Sequence, residues 1–241
     1  MLCRAVVYIG NGKEINPEKE AVVMNLKGVK INFIGDSITE GHGTSAPEHR
    51  FTEVIARETG ALCRNYGVGA TRFARQITEF PEFPKDQDFC ARFAQMDPDA
   101  DAVVVFGGTN DFGHGDAPLG TMKDRTSGTF YGALHVLCTG LIERYPAADI
   151  VLLTPLHRCN EDSLRGDGFK AQDVGDLKTY VAIMREVAEY YALPVLDLFA
   201  GSGLQPKVPV IRERYMPDGL HLNDAGHRVL ARKLIRFLEA L

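Results

Sequence analysis

Residues 30–43 read KINFIGDSITEGHG, and this stretch decides the fold. An apolar run, Lys30–Ile34, meets Gly35, and polar residues that start a helix follow at once. The pattern is a strand delivered through a tight turn into a helix. Four further runs of the same kind occur at Ala61–Tyr66, Ala102–Phe106, Ile150–Thr154 and Pro194–Leu198. Between them apolar residues recur at the helical period, as in Phe130, Leu134, Leu137 and Leu141, or Leu177, Val181, Met184 and Val187. Strands alternating with helices predict parallel βαβ units and a three-layer α/β domain. The right-handed crossover rule leaves a five-stranded doubly wound sheet as the simplest topology.

The chain of 241 residues is 45% hydrophobic and 24% charged, which excludes disordered and collagen-like classes. Lys and Arg number 27 against 32 Asp and Glu, a net charge of −5 spread along the chain, so no electrostatic case exists for nucleic acid or an anionic membrane. No run approaches the ~18 apolar residues of a membrane span. The short apolar run Ala5–Ile9 is too brief for the core of a secretory signal, and a cytoplasmic protein is expected. Five scattered cysteines without a C-x-x-C pair read as free thiols.

Residues 1–28 are expected to form an N-terminal extension, a hairpin or a docking arm built from Ala5–Ile9 and Ala21–Met24, and residues 29–241 a single domain. Phe80–Pro98 reads as a long loop with a short helix, and Pro155–Asp176 as a second long, polar loop.

Ligands of an open parallel sheet bind beyond the carboxyl ends of the strands, so the residues that follow each strand are the site candidates. Ser37 is either a helix cap beside Asp36 or a nucleophile on a tight turn. Of the histidines expected on this rim (His42, His114, His157 and His221), only His221 has a carboxylate close by in sequence, in Asp218-Gly219-Leu220-His221. Asp218 could orient His221 as the base of a triad, with an apparent pKa near the ordinary ~6.5 or somewhat above it. A plain surface Asp-Gly turn gives the same letters. Donors for an oxyanion are the Ser37 and Gly69 amides and the Asn110 side chain, although Gly69 also suits a turn and Asn110 an Asx-turn. Asp36, Arg72 and His157 are candidate substrate contacts. The phenylalanines Phe73, Phe80, Phe83, Phe89 and Phe93 read as core and loop anchors rather than an acyl pocket. His42, His114 and Asp111 show no metal-ligand spacing, and both phosphate-loop patterns are missing, so no metal and no cofactor are expected.

Taken in order, Gly35-Asp36-Ser37, Asn65-Tyr66-Gly67-Val68-Gly69, Gly108-Thr109-Asn110-Asp111 and Asp218-Gly219-Leu220-His221-Leu222-Asn223 resemble the SGNH (GDSL) hydrolase superfamily. The four motifs cover about residues 30–240, and none departs from the family pattern. The resemblance implies a flavodoxin-like α/β/α fold with a Ser37 nucleophile and a His221 base oriented by Asp218. It also implies an oxyanion hole of the Ser37 and Gly69 amides with the Asn110 side chain. The expected activity is a serine esterase on short acyl esters, such as acetyl, of a polar or sugar-like alcohol, because the Pro155–Asp176 loop is too polar for a lipase lid. A thioesterase or lysophospholipase, a metal-dependent hydrolase and a non-catalytic binding domain are the alternatives. The expected partner is a small-molecule ester; oligomeric state is not legible in the sequence.

Overall fold

The computed structural model describes residues 24–78 and 88–241. Its five strands are β1 (Lys30–Gly35), β2 (Leu62–Gly67), β3 (Ala102–Phe106), β4 (Asp149–Leu153) and β5 (Val195–Leu196). They pair in the order β2-β1-β3-β4-β5, every neighbour parallel. This is the flavodoxin-like doubly wound order. The expected strands fall within a residue or two of these bounds, except that β5 shortens to two residues.

The helices among the described residues are α1 (Ser37–Glu40), α2 (Phe51–Thr59), α3 (Phe89–Arg92), α4 (Thr109–Gly113), α5 (Phe130–Arg144), α6 (Leu177–Tyr190), α7 (Leu198–Gly201), α8 (Pro209–Tyr215) and α9 (Asp224–Leu238). Alternation along the strands separates two cores. Ile31, Phe33, Val104 and Phe106 face one side with Phe51 and Ile55 of α2 and Leu230 and Leu234 of α9. Ile34, Val103 and Val105 face the other with Leu134, Leu137 and Leu141 of α5 and Val181, Met184 and Val187 of α6. β1 and β3 are buried on both faces, which explains why they read as continuous apolar runs.

Each long helix starts on a side-chain cap: Thr129 accepts from Gly132 N–H, Asp176 from Thr179 N–H, and Asn223 from the Ala225 and Gly226 N–H groups. Within the expected extension, Leu26 is buried in the second core and Met24 N–H donates to Glu239 O at 2.9 Å. The rest of that hairpin or arm, 1–23, lies outside the described residues, as do Phe80 and Phe83 of the loop expected at 80–98. The four described cysteines are free. No described helix is long and apolar enough to cross a membrane.

Candidate active site

Ser37 is half-buried at the start of α1, directly beyond β1. The cap of this helix is Asp36, whose carboxylate accepts the Ile38 N–H at 3.0 Å. Asp36 therefore takes the structural task that Ser37 was also fitted for, and the Ser37 hydroxyl is left for another partner. Full burial pushes the Asp36 carboxyl up to about 7. The turn needs its glycine neighbours because backbones meet here: a Cβ on Gly67 would collide with the backbone of Thr39 and Glu40.

The partner is His221, whose Nε2 lies 3.1 Å from Ser37 Oγ across 184 residues of sequence. On the other side of the ring, Nδ1 meets Asp218 Oδ2 at 2.6 Å. Asp218 Oδ1 accepts the Leu220 and His221 N–H groups at 2.9 and 2.7 Å, so the carboxylate is fixed by its own turn. A carboxylate only accepts, which places the ring proton on Nδ1 and the lone pair of Nε2 toward the serine. Burial pushes the Asp218 carboxyl up, but the bonds from His221 and the two backbone amides outweigh it and hold it below the ordinary range. For His221, burial is the largest effect and lowers its pKa; the hydrogen bond and charge of Asp218 raise it, and His42 and Arg158 lower it further. The net direction is downward. This reverses the expectation of a value near or above the ordinary one, because desolvation exceeds the carboxylate's pull.

The two expected oxyanion donors outside α1 converge on the same end of the sheet, and each already has an acceptor. Asn110, on α4, donates from Nδ2 to Thr71 O at 3.0 Å. Gly69 N–H donates to Glu40 Oε2 at 2.9 Å. Asp111 accepts the Phe73 and Ala74 N–H groups at 3.0 Å each, tying the Gly69 loop to α4; burial pushes its carboxyl up to about 6.

The candidate substrate contacts Arg72 and His157 have partners inside the protein, as Asp36 does. Arg72 is buried rather than a solvated charge, and its guanidinium donates to His114 Nδ1 at 2.8 Å. Burial and the Arg72 charge push His114 down to about 4, so it is neutral. His157 pairs with Glu161 at 2.6 Å and packs on Phe199. His42 instead lies against the His221 ring, centroids 4.2 Å apart. Among the described residues, His42, Asp218 and His221 offer donor atoms within 4.8 Å of one another, a geometry that a metal ion could use. Both nitrogens of His221 already face Ser37 and Asp218, so an ion there would compete with that chain of bonds.

Arg92, Thr71 and the inward turn of the polar loop after β4 went unread in the sequence. Arg92 is buried and donates to Tyr66 O at 2.9 Å, Gly35 O at 3.0 Å and Thr71 Oγ1 at 2.9 Å. It clamps the ends of β1 and β2 to the Gly69 loop. Thr71 completes that clamp by donating to Val68 O at 2.6 Å. The polar loop after β4 turns inward: Arg158 donates to Thr109 O at 3.2 Å and Lys170 to Asp111 O at 2.9 Å, bracing the helix that carries Asn110. Buried arginine and lysine run against composition-based expectation, and only the lengths of these loops hinted at work to do.

The model of the GDSL-like lipase/acylhydrolase family matches residues 33–229. Among curated proteins, none matches this chain. One crystal structure is 33% identical, with a TM-score of 0.77 over 90% of this chain and 99% of its own. A second, a protein from Lactobacillus plantarum, is 30% identical, with a TM-score of 0.74 over 89% of this chain and 98% of its own. A lipase/acylhydrolase from Enterococcus faecalis, 22% identical, covers 88% of this chain and 95% of its own with a TM-score of 0.57, and shares the fold. The family match spans every motif from the strand before Ser37 to the helix after His221, and the chain belongs to the GDSL-like lipase/acylhydrolase family as an ester hydrolase of the SGNH type.

Proposed function

We propose that the protein hydrolyses short-chain acyl esters, such as acetyl esters, of polar or sugar-like alcohols through an acyl-enzyme formed on Ser37. The observation that carries this reading is the unbroken chain from Ser37 Oγ to His221 Nε2 at 3.1 Å and from His221 Nδ1 to Asp218 Oδ2 at 2.6 Å. Ser37 Oγ attacks the ester carbonyl while His221 Nε2 takes its proton, and Asp218 holds the resulting imidazolium. The Ser37 and Gly69 amides and the Asn110 side chain receive the oxyanion. When the tetrahedral intermediate collapses, the C–O bond to the alcohol breaks and His221 returns the proton to the departing alkoxide. Water, deprotonated by the same imidazole, then attacks the acyl-enzyme, and Ser37 recovers its proton as the carboxylate product leaves.

The short acyl preference rests on where the aromatic side chains are. Phe73 and Phe89 are wholly buried, their rings tilted against each other in the core with centroids 4.6 Å apart, and neither is open to a long acyl chain. The loop after β4 exposes Leu164 and Phe169 but is pinned inward on α4 by the buried Arg158 and Lys170, so it is braced rather than hinged as a lid. A series of p-nitrophenyl esters from acetyl to octanoyl tests the reading. Acetyl or butyryl is expected to be fastest and octanoyl slower by at least about tenfold, as a pocket too short for the added methylenes demands. Ser37→Ala is expected to abolish turnover while remaining folded by circular dichroism, and only the unmodified protein should take an organophosphonate on Ser37. A rate that rises to octanoyl, or fastest turnover of an acyl thioester, would replace the substrate assignment. A Ser37→Ala variant keeping more than about a tenth of the rate would remove the nucleophile.

A further inference from the structure

The mechanism gives His42 no task, yet the fold holds it against the base. Its backbone N–H donates to Ser37 O at 2.8 Å, just past α1. Beside it the Gly43 backbone lies flush on the turn that carries His221. A Cβ on Gly43 would stand 2.5 Å from Leu222 O and 3.3 Å from His221 Cβ, and its φ is +91°, so the approach needs glycine. Two residues on, Ser45 fastens the loop to the start of α9, its N–H and hydroxyl donating to Asp224 at 2.8 and 2.7 Å. The loop is therefore fixed on both sides of His42. The His42 imidazole itself is exposed and, among the described residues, makes no hydrogen bond; its centroid lies 4.2 Å from that of His221.

Resting on the triad reading above, we propose that His42, Asp218 and His221 form an inhibitory site for zinc or a chemically similar divalent ion. The three side chains offer donor atoms within 4.8 Å of one another. Ligand atoms around tetrahedral zinc sit about 3.4 Å apart, so the widest separation must close by at most about 1.4 Å. Rotation of the exposed His42 ring can supply this without breaking a hydrogen bond. Two imidazoles and a carboxylate suit zinc, with water as the fourth ligand, whereas magnesium and calcium take oxygen ligands. Asp218 brings the negative charge. Arg158, whose charge reaches His221, is paired with Asp167 at 2.5 Å. At Nδ1 of His221 the ion replaces the proton shared with Asp218, which passes to solvent, and the metal-bound ring is too weak a base at Nε2 to take the Ser37 proton. At Nε2 the ion occupies the accepting lone pair itself. Either way Ser37 keeps its proton and no acyl-enzyme forms.

The test titrates zinc chloride against p-nitrophenyl acetate hydrolysis in a non-chelating buffer at neutral pH, for wild type, His42→Ala and His42→Gln. Wild type is expected to show saturable inhibition that EDTA reverses and that magnesium chloride does not reproduce. Both variants should keep wild-type activity without zinc. They should need at least about tenfold more zinc for half inhibition, since losing even an outer-shell partner of a metal ligand costs about 10–100-fold in affinity. Calorimetry of Ser37→Ala with zinc chloride reads the site without turnover, with a binding event that His42→Gln added to the same chain should weaken by the same factor. Cys159 is an exposed thiol whose Sγ would lie 2.5 Å from a Cβ on Gly219, so zinc acting through that thiol would inhibit wild type and both His42 variants alike. No inhibition of wild type, equal half-inhibition in all three proteins, or calorimetric binding unchanged by His42→Gln overturns the site and leaves the esterase reading intact. Absence of both ester turnover and organophosphonate labelling would instead sink the esterase reading, and calorimetry would still decide whether His42 holds the ion.

Discussion

Replacing Asn110 by alanine separates an oxyanion donor from a turn residue, and the structure sets the size of both effects. Asn110 is 6% exposed, and one proton of its side-chain amide meets Thr71 O at 3.0 Å. The other is the one proposed to meet the oxyanion. Alanine strands the Thr71 carbonyl, which costs about 1–3 kcal/mol for a buried acceptor left without its donor. For a chain of this length that lowers Tm by roughly 3–8 °C. The catalytic loss is separate: removing one oxyanion donor costs ~10²–10³ in kcat, or ~2.7–4 kcal/mol of transition-state binding, and leaves KM nearly unchanged. The assay is steady-state hydrolysis of p-nitrophenyl acetate at 25 °C, well below the variant's Tm, with the folded fraction taken from its urea unfolding curve. The expected result is a fall in kcat of at least about a hundredfold per folded molecule with KM within about threefold. A lower Tm with kcat reduced less than about fivefold would assign Asn110 to holding Thr71 alone and would refute its place in the oxyanion hole.

Three more outcomes are expected. Because burial holds His221 below the ordinary histidine value, kcat/KM for acyl esters should rise with pH through an apparent pKa under ~6.5 and be level by pH 7; a midpoint above 7 would show that Asp218 outweighs desolvation. Thr71→Val removes the hydroxyl that accepts from Arg92 and donates to Val68 O, and should lower kcat about tenfold, with Thr71→Ser restoring it; equal rates in the two variants would leave that clamp without a role in catalysis. His227 is buried neutral, its Nδ1 accepting the Phe51 N–H at 3.1 Å, and burial pushes it down to about 4. Between pH 6.5 and 4 protons bind this histidine only in the unfolded chain, so its contribution to stability is lost on acidification. The stability gap in urea between wild type and His227→Gln should therefore narrow by about 2 kcal/mol from pH 7 to 4.5; a constant gap would show that His227 titrates alike in both states.

Much of the chemistry was legible because it is locally encoded. Asp218 and His221 are three residues apart on one turn, and that turn alone brings carboxylate to imidazole. Ser37 follows a strand and a glycine, so the strand-to-helix turn exposes it wherever the rest of the chain goes. The substrate candidates were less legible: Arg72 reads as surface charge, yet it is buried against His114. A sequence window carries no information on what covers a side chain from elsewhere in the fold.

By itself, then, the sequence determined the βα alternation, the strand positions and the short motifs at the strand ends, since hydrophobic period and turn chemistry act over a few residues. Tertiary structure alone decided how those motifs meet. It set Ser37 against His221 across 184 residues, put Glu40 on the Gly69 amide across 29, and fastened Thr71 to Asn110 and Arg92. It also decided the direction of the His221 shift, because desolvation sums over everything packed around a group, whereas the sequence shows only the opposing pull of the neighbouring carboxylate.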